Sequence, residues 1–211
     1  MFSFAAGPFD VPDSVRQMCV DTWERLTRPG TSWTGTQRLA ITRRARAERL
    51  GSAPHHSDLP QAADEAAAVL GARPATTSAD WVTRIVSDLG EAQYIELLGI
   101  VARVVAIDTF TRLIGVEPQP FPAAVKGDPI PEPPVGTTRR STAWVSMCGF
   151  PVPPNVLSLV PAAQHDTNAT AETFYMSGTQ MADPDIAIDG LHRTQIETVA
   201  TTVSHRNECF Y

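Results

Sequence analysis

Two helical groups joined by a proline-rich crossover, an all-α fold, is the architecture this sequence predicts. Three observations predict it. Apolar residues recur at three- and four-residue intervals in successive segments, the period of a helix face turned towards a core. Cap residues precede these segments and Gly or Pro follows them. Between Gly115 and Gly136 seven prolines, from Pro118 to Pro134, leave no room for a regular helix. The expected layout is a single domain over 1–211, with a helical group at 12–115, a linker at 116–154 and a second helical group at 155–211. No β-rich region is apparent.

Taken in order, Pro12-Asp13-Ser14 is a helix entry, after which Val15, Met18, Cys19, Thr22, Trp23 and Leu26 form one stripe. Cys19 lies within that stripe and reads as core packing. Arg28-Pro29-Gly30 ends the helix. The next begins near Thr34-Gly35-Thr36, with Leu39, Ala40, Ile41 and Ala45 on one side, and the basic run Arg38 to Arg49 reads as a solvated face. Trp33 is placed to pack at the entry. Gln61 to Leu70 is Ala-rich and helical. Ser78-Ala79-Asp80 caps a helix bearing Trp81, Ile85 and Leu89, which breaks at Gly90.

Glu91 to Ile114 is the longest apolar helix, hydrophobic nearly all round from Leu97 to Ile107. A membrane span needs about twenty apolar residues without interruption. Here Glu96, Arg103 and Asp108 intervene, so the helix is expected at the centre of a core. Asp108 or Glu96 serves either as a proton relay near Cys209 or as half of a buried ion pair with Arg. Beyond the extended crossover, Trp144 to Pro154 reads as irregular, with Cys148 among apolar neighbours. Asn155 to Val160 reads as a helical turn or helix start, and Ala169 to Met181 as a helix.

The last stretch, Leu191 to Tyr211, carries the residues most like a chemical site. Ile196, Val199, Ala200 and Val203 form a helical stripe, so an amphipathic helix is expected from about Arg193, with Asp189-Gly190 punctuating its start. On such a helix His205 and Cys209 are four apart and share a face. A protonated imidazole there favours the thiolate. Glu197 supplies a carboxylate upstream. The competing reading of Cys209 is a small packed hydrophobe.

Glu197 and Cys209, twelve positions apart, and the ending Asn207-Glu208-Cys209-Phe210-Tyr211 resemble the redox motif of the alkylhydroperoxidase D-like and carboxymuconolactone decarboxylase-like superfamily. In that motif a helical Glu is followed by Cys-x-x-Cys and then by a His. The blocks Thr27 to Gly35, Gly90 to Gly99, Val105 to Phe110 and Arg193 to Glu197 are similar to blocks of its longer members. The resemblance implies an alkylhydroperoxidase D-like helical bundle and a thiol-dependent peroxidase-like activity. It also implies a hydroperoxide or small organic substrate, a thiol reductant and a homo-oligomer. Glu197 and Cys209 carry over as catalytic residues, Cys209 at the position of the first Cys, which in this family usually resolves while the second attacks, whereas His205 enters by its spacing alone. The second Cys and the His of the motif would fall just after Tyr211. A chain of these 211 residues is therefore expected to sustain little two-Cys turnover.

Two other readings stand beside this one. One is a non-catalytic helical oligomerisation or binding protein. The other is a carboxymuconolactone decarboxylase-like enzyme, for whose lactone acid Arg103 or Arg206 would supply the cation. A net charge of −6 gives no cationic field for nucleic acid or anionic lipid, so neither is an expected partner. The N-terminus lacks a basic region before its apolar residues and does not read as a secretory signal, which makes a cytoplasmic location the default. Cys19, Cys148 and Cys209 do not form a disulfide framework. His55-His56 has only Asp58 near it, so no metal is expected. No phosphate loop or dinucleotide fingerprint appears, and no cofactor is expected.

Overall fold

The longest apolar stretch of the sequence folds as the helix on which the others pack. The computed structural model describes residues 2–4, 7–53, 57–140, 144–150 and 152–208. Among them the helices are α1 (Asp13–Leu26), α2 (Gly35–Leu50), α3 (Gln61–Ala72), α4 (Ala79–Leu89), α5 (Glu91–Leu113), α6 (Pro161–Phe174), α7 (Gly178–Met181) and α8 (Arg193–Arg206). Helix α5 buries residues around its whole circumference, from Tyr94 to Thr111, and packs against α1, α2, α3, α4 and α6. One apolar cluster runs from Phe4 through these helices to Val160 and Ala163, so residues of both predicted helical groups share it. The described fold is mostly helical, as the periodicity predicts, and no described helix is long and apolar enough to cross a membrane.

Local chemistry sets the boundaries. The side chain of Thr34 accepts from the Gln37 N–H while Gln37 accepts from the Thr34 N–H, a reciprocal cap that starts α2 at Gly35. Ser78 caps α4 through the Trp81 N–H. On α3, Gly71 sits so close to Ala45 of α2 that a Cβ would lie 2.7 Å from the Ala45 carbonyl oxygen. The Ala-rich face of α3 is what permits that approach.

The basic run of α2 departs from the solvated face predicted for it. Among its arginines only Arg43 is exposed. Arg38 pairs with Glu96, and Arg44 pairs with Glu48 and Asp64, each at 2.9 Å. Arg46 grips Asp108 through two bonds of 2.8 Å. Arg49 donates to Thr109 Oγ1 at 2.9 Å. The reason lies on the facing helices: Asp64, Glu96 and Asp108 come from α3 and α5, which the sequence of α2 alone does not show. Glu96 and Asp108 of α5 thus occupy buried ion pairs.

The proline-rich crossover is extended, as predicted, and it is pinned to the first helical group. The Val125 N–H donates to the Thr27 carbonyl and the Ile130 N–H to the Gly30 carbonyl, both at 2.8 Å. Phe121 stacks on Trp23 with centroids 5.2 Å apart, and the Arg46 guanidinium lies 3.8 Å from the Phe121 ring centroid. Two other expectations need correction. Within the segment read as irregular, β2 (Ser146–Cys148) pairs antiparallel with β1 (Thr138–Arg140), and the Ser146 N–H donates to Glu91 Oε1 at 2.6 Å. The helix expected over Ala169 to Met181 starts earlier, at Pro161, whose fixed φ suits a first helical position. It stops at Phe174, and Ser177 then caps the separate turn α7.

Gly30 is a position where this packing leaves no room for a side chain. A Cβ there would overlap both Glu96 Oε1 and Arg38 Nη1. Gly30→Ala is expected to split that buried pair and to cost on the order of 2–4 kcal/mol in urea denaturation. Gly178→Ala, with nothing within 4 Å of its Cβ, is the control expected to change little. Equal effects of the two substitutions would contradict the packing described.

Candidate functional site

The terminal segment, which carries the predicted site residues, folds as a hairpin followed by a helix. Strands β3 (Ala187–Ile188) and β4 (Leu191–His192) pair antiparallel across Asp189-Gly190, whose φ values of 48° and 83° suit a tight two-residue turn. His192 then caps α8: its Nδ1 accepts from the Thr194 N–H at 3.3 Å, and its own N–H donates to Gln195 Oε1 at 2.9 Å. Asp189-Gly190 and the helix start at Arg193 fall where the sequence places them.

Glu197 lies on the first half of α8, partly exposed. Tyr175 Oη and Arg193 Nε both donate to its Oε1, each at 2.7 Å. Arg193 also donates to the Met181 carbonyl at 2.7 Å, so one guanidinium joins the end of α7 to the acid of α8. The Tyr175 hydroxyl, and after it Arg193, hold the Glu197 carboxyl below the usual carboxylate range. Burial first, and then the bond to Glu197, push Tyr175 up. Both shifts leave the proton on Tyr175 and the charge on Glu197. At neutral pH Glu197 is therefore an oriented carboxylate, and a weaker base than a free glutamate.

The other members of the predicted site lie further along. His205 is exposed in the last turn of α8, and Cys209 lies outside the described residues. The helix itself ends at Arg206, where the Asn207 N–H donates to the Val203 carbonyl and Glu208 takes φ 54°. A left-handed residue just past a helix turns the chain away from the axis. This end bears on both predicted spacings. The four-residue stacking of His205 on Cys209 presupposes a helix that continues. Twelve residues of continuous helix, by contrast, would set Glu197 and Cys209 about 18 Å apart, so a working pair requires a turn of the chain between them.

Helix α8 carries no buried residue, and its apolar stripe is uncovered: Val199 is 62% and Val203 51% exposed. Cys19 is fully buried, which pushes its thiol up to about 12, so it stays protonated, as its core reading requires. Cys148 is buried on β2, with its N–H donating to Ser158 Oγ at 2.8 Å. Its cleft, of about 300 Å³, is also lined by His165, Gln164 and Ser158. Sequence reasoning missed that neighbourhood, because His165 is seventeen residues away and only the β1–β2 ladder and α6 bring it near. Among the described residues no group of three or more His, Cys, Asp or Glu side chains could hold a metal, and His55-His56 lies outside them. Comparison with protein-family models, with curated proteins and with solved structures finds no match.

The Glu197 clamp has a pH signature. Its folded-state pKa is depressed, so its contribution to holding α8 is complete above the ordinary glutamate value and is lost as pH falls through the lower, folded-state value. Carboxyl NMR is expected to find Glu197 titrating below the ordinary value of about 4.3, and Tyr175→Phe to move it upward. An ordinary value, unmoved by Tyr175→Phe, would contradict the clamp.

Proposed function

We propose that this chain belongs to a thiol-dependent, alkylhydroperoxidase-related oxidoreductase, in which Cys209 supplies a sulfur of the thiol centre and Glu197 its carboxylate. The observation that carries the reading is the oriented, accessible Glu197, on a helix that ends before Cys209. Its Oε2 accepts from neither Tyr175 nor Arg193, which leaves one oxygen to receive a hydrogen bond from a thiol or a water.

Cys209 stands at the motif position whose sulfur usually resolves; in the one-Cys form of this reading its thiolate instead attacks the terminal oxygen of a hydroperoxide. The S–O bond forms as the O–O bond breaks, and the departing alkoxide takes up a proton to become an alcohol. A second thiol then attacks the sulfenic sulfur, forming a disulfide and releasing water. Neither other cysteine of these 211 residues stands at the motif's second position: Cys19 is buried with its thiol held protonated, and Cys148 is buried on β2. For these residues an external thiol is that second thiol, and a further equivalent of it, attacking the mixed disulfide, releases Cys209 and leaves as the external disulfide; turnover without it is expected to be weak. The uncovered stripe of α8 favours a second reading, a helical assembly or binding protein. Measuring the mass in solution, with and without Val199→Asp, distinguishes it.

The test is oxidation by one equivalent of hydroperoxide, with dimedone trapping of the sulfenic acid. The adduct is expected on Cys209, to form faster than on free cysteine, and to vanish in Cys209→Ser. Glu197→Gln is expected to slow it at least about tenfold. Oxidation of Cys209 no faster than free cysteine, and indifferent to Glu197→Gln, would overturn the proposal.

A further inference from the structure

The two halves of the proline-rich crossover are used differently. The first is spent on the protein's own body. Phe121 lies on Trp23, Arg46 Nη1 donates to the Gln119 carbonyl at 2.7 Å, and the Val125 N–H donates to the Thr27 carbonyl. The second half, Pro131 to Thr137, is exposed at every residue. Among the described residues the backbone of 131–135 makes no hydrogen bond, so its carbonyls and the N–H groups of Glu132 and Val135 face solvent. Both ends of this span are nonetheless fixed: the Ile130 N–H is held by the Gly30 carbonyl, and Thr138 opens β1 opposite Cys148.

Local chemistry sets the conformation of the span. Each proline fixes its own φ, and a residue that precedes a proline is pushed into the extended region. Asp128, Ile130, Glu132 and Pro133 all precede prolines, so the run from Asp128 to Pro134 favours polyproline II throughout. In that helix three residues make a turn and advance about 9 Å, so residues three apart share an edge. Ile130 and Pro133 fall on one edge and Pro131 and Pro134 on the next, which makes two apolar pairs one turn apart. Ile130 is 75% and Val135 74% exposed. A stiff spacer requires the prolines alone and has no use for a bare Ile and Val beside them. Asp128 and Glu132 are exposed as well, and no Lys or Arg lies between Asp128 and Gly136.

We infer that Ile130 to Val135 is a docking ridge for a second protein that presents a groove of aromatic side chains with basic residues at its rim. The pairs Ile130-Pro131 and Pro133-Pro134 each fill a slot between rings, and the carbonyls between them accept from the indole N–H or phenol O–H groups of the groove. The basic rim answers Asp128 and Glu132. Because the span is extended and anchored before the partner arrives, little ordering remains to be done on binding. The ridge is independent of the thiol centre.

The test titrates the isotope-labelled full chain with one purified SH3 domain in two forms, its acidic groove rim intact or replaced by lysines. The lysine-rimmed form is expected to bind saturably, with amide shifts centred on the span from Asp128 to Thr138, and the acidic form at least about tenfold more weakly. Pro131→Ala combined with Pro134→Ala should abolish binding, whereas Pro120→Ala, in the half of the crossover already spent on the body, should leave it intact. The substituted prolines are exposed, so the thermal midpoint should barely move in either variant. Glu132→Lys should reverse the preference between the two rims. Absence of saturable binding to the lysine-rimmed domain, equal binding to both rims, or binding that survives the double substitution would overturn the proposal.

Discussion

The buried pair of Arg38 and Glu96 is the interaction on which the architecture turns. It joins α2 to α5, and the same carboxylate accepts from the Ser32 N–H at 2.6 Å, which fixes the loop between α1 and α2. Trp33, next in that loop, donates from Nε1 to the Gln93 carbonyl at 3.0 Å. The loop in turn presents the Thr27 and Gly30 carbonyls that hold the crossover. Ions so far from water are stabilising only while both partners remain in place, so the pair specifies a geometry more than it adds net stability.

That dependence explains which parts of the fold are legible in the sequence. The boundaries of α2 and α4 and the start of α8 are local chemistry: Thr34 with Gln37, Ser78 with Trp81, and Asp189-Gly190 ahead of Arg193. The centrality of α5 is visible in a hydrophobic run too polar at Glu96, Arg103 and Asp108 for a membrane. What the sequence withholds is the partner of each charge. Arg38 and Arg46 look like any solvated arginine until α5 is laid across them, and Asp166, deep in the second helical group, meets Arg103 sixty-three residues earlier. Short ladders such as β1–β2 leave too little periodicity to be seen in advance.

The terminal region follows a different logic. Helices α1 to α6 share an apolar cluster, whereas α8 carries no buried residue and is tied down by polar contacts through Arg193 and Tyr175. Glu197 was legible as a candidate from its spacing to Cys209. Its clamp was not, because Tyr175 reaches it across the α7 turn and the β3–β4 hairpin. An acid held ionised and pointed by two donors is suited to orienting a thiol proton. The apolar stripe beside it leaves α8 free to receive a covering surface.

The measurement that bears most directly on the proposed thiol centre is the pH dependence of Cys209 alkylation by iodoacetamide, in the native chain and in Glu197→Gln. The account predicts an apparent thiol pKa displaced from the ordinary value of about 8.5, and displaced differently once the carboxylate is gone. An ordinary value, identical in both proteins, would mean that Glu197 and Cys209 do not work together.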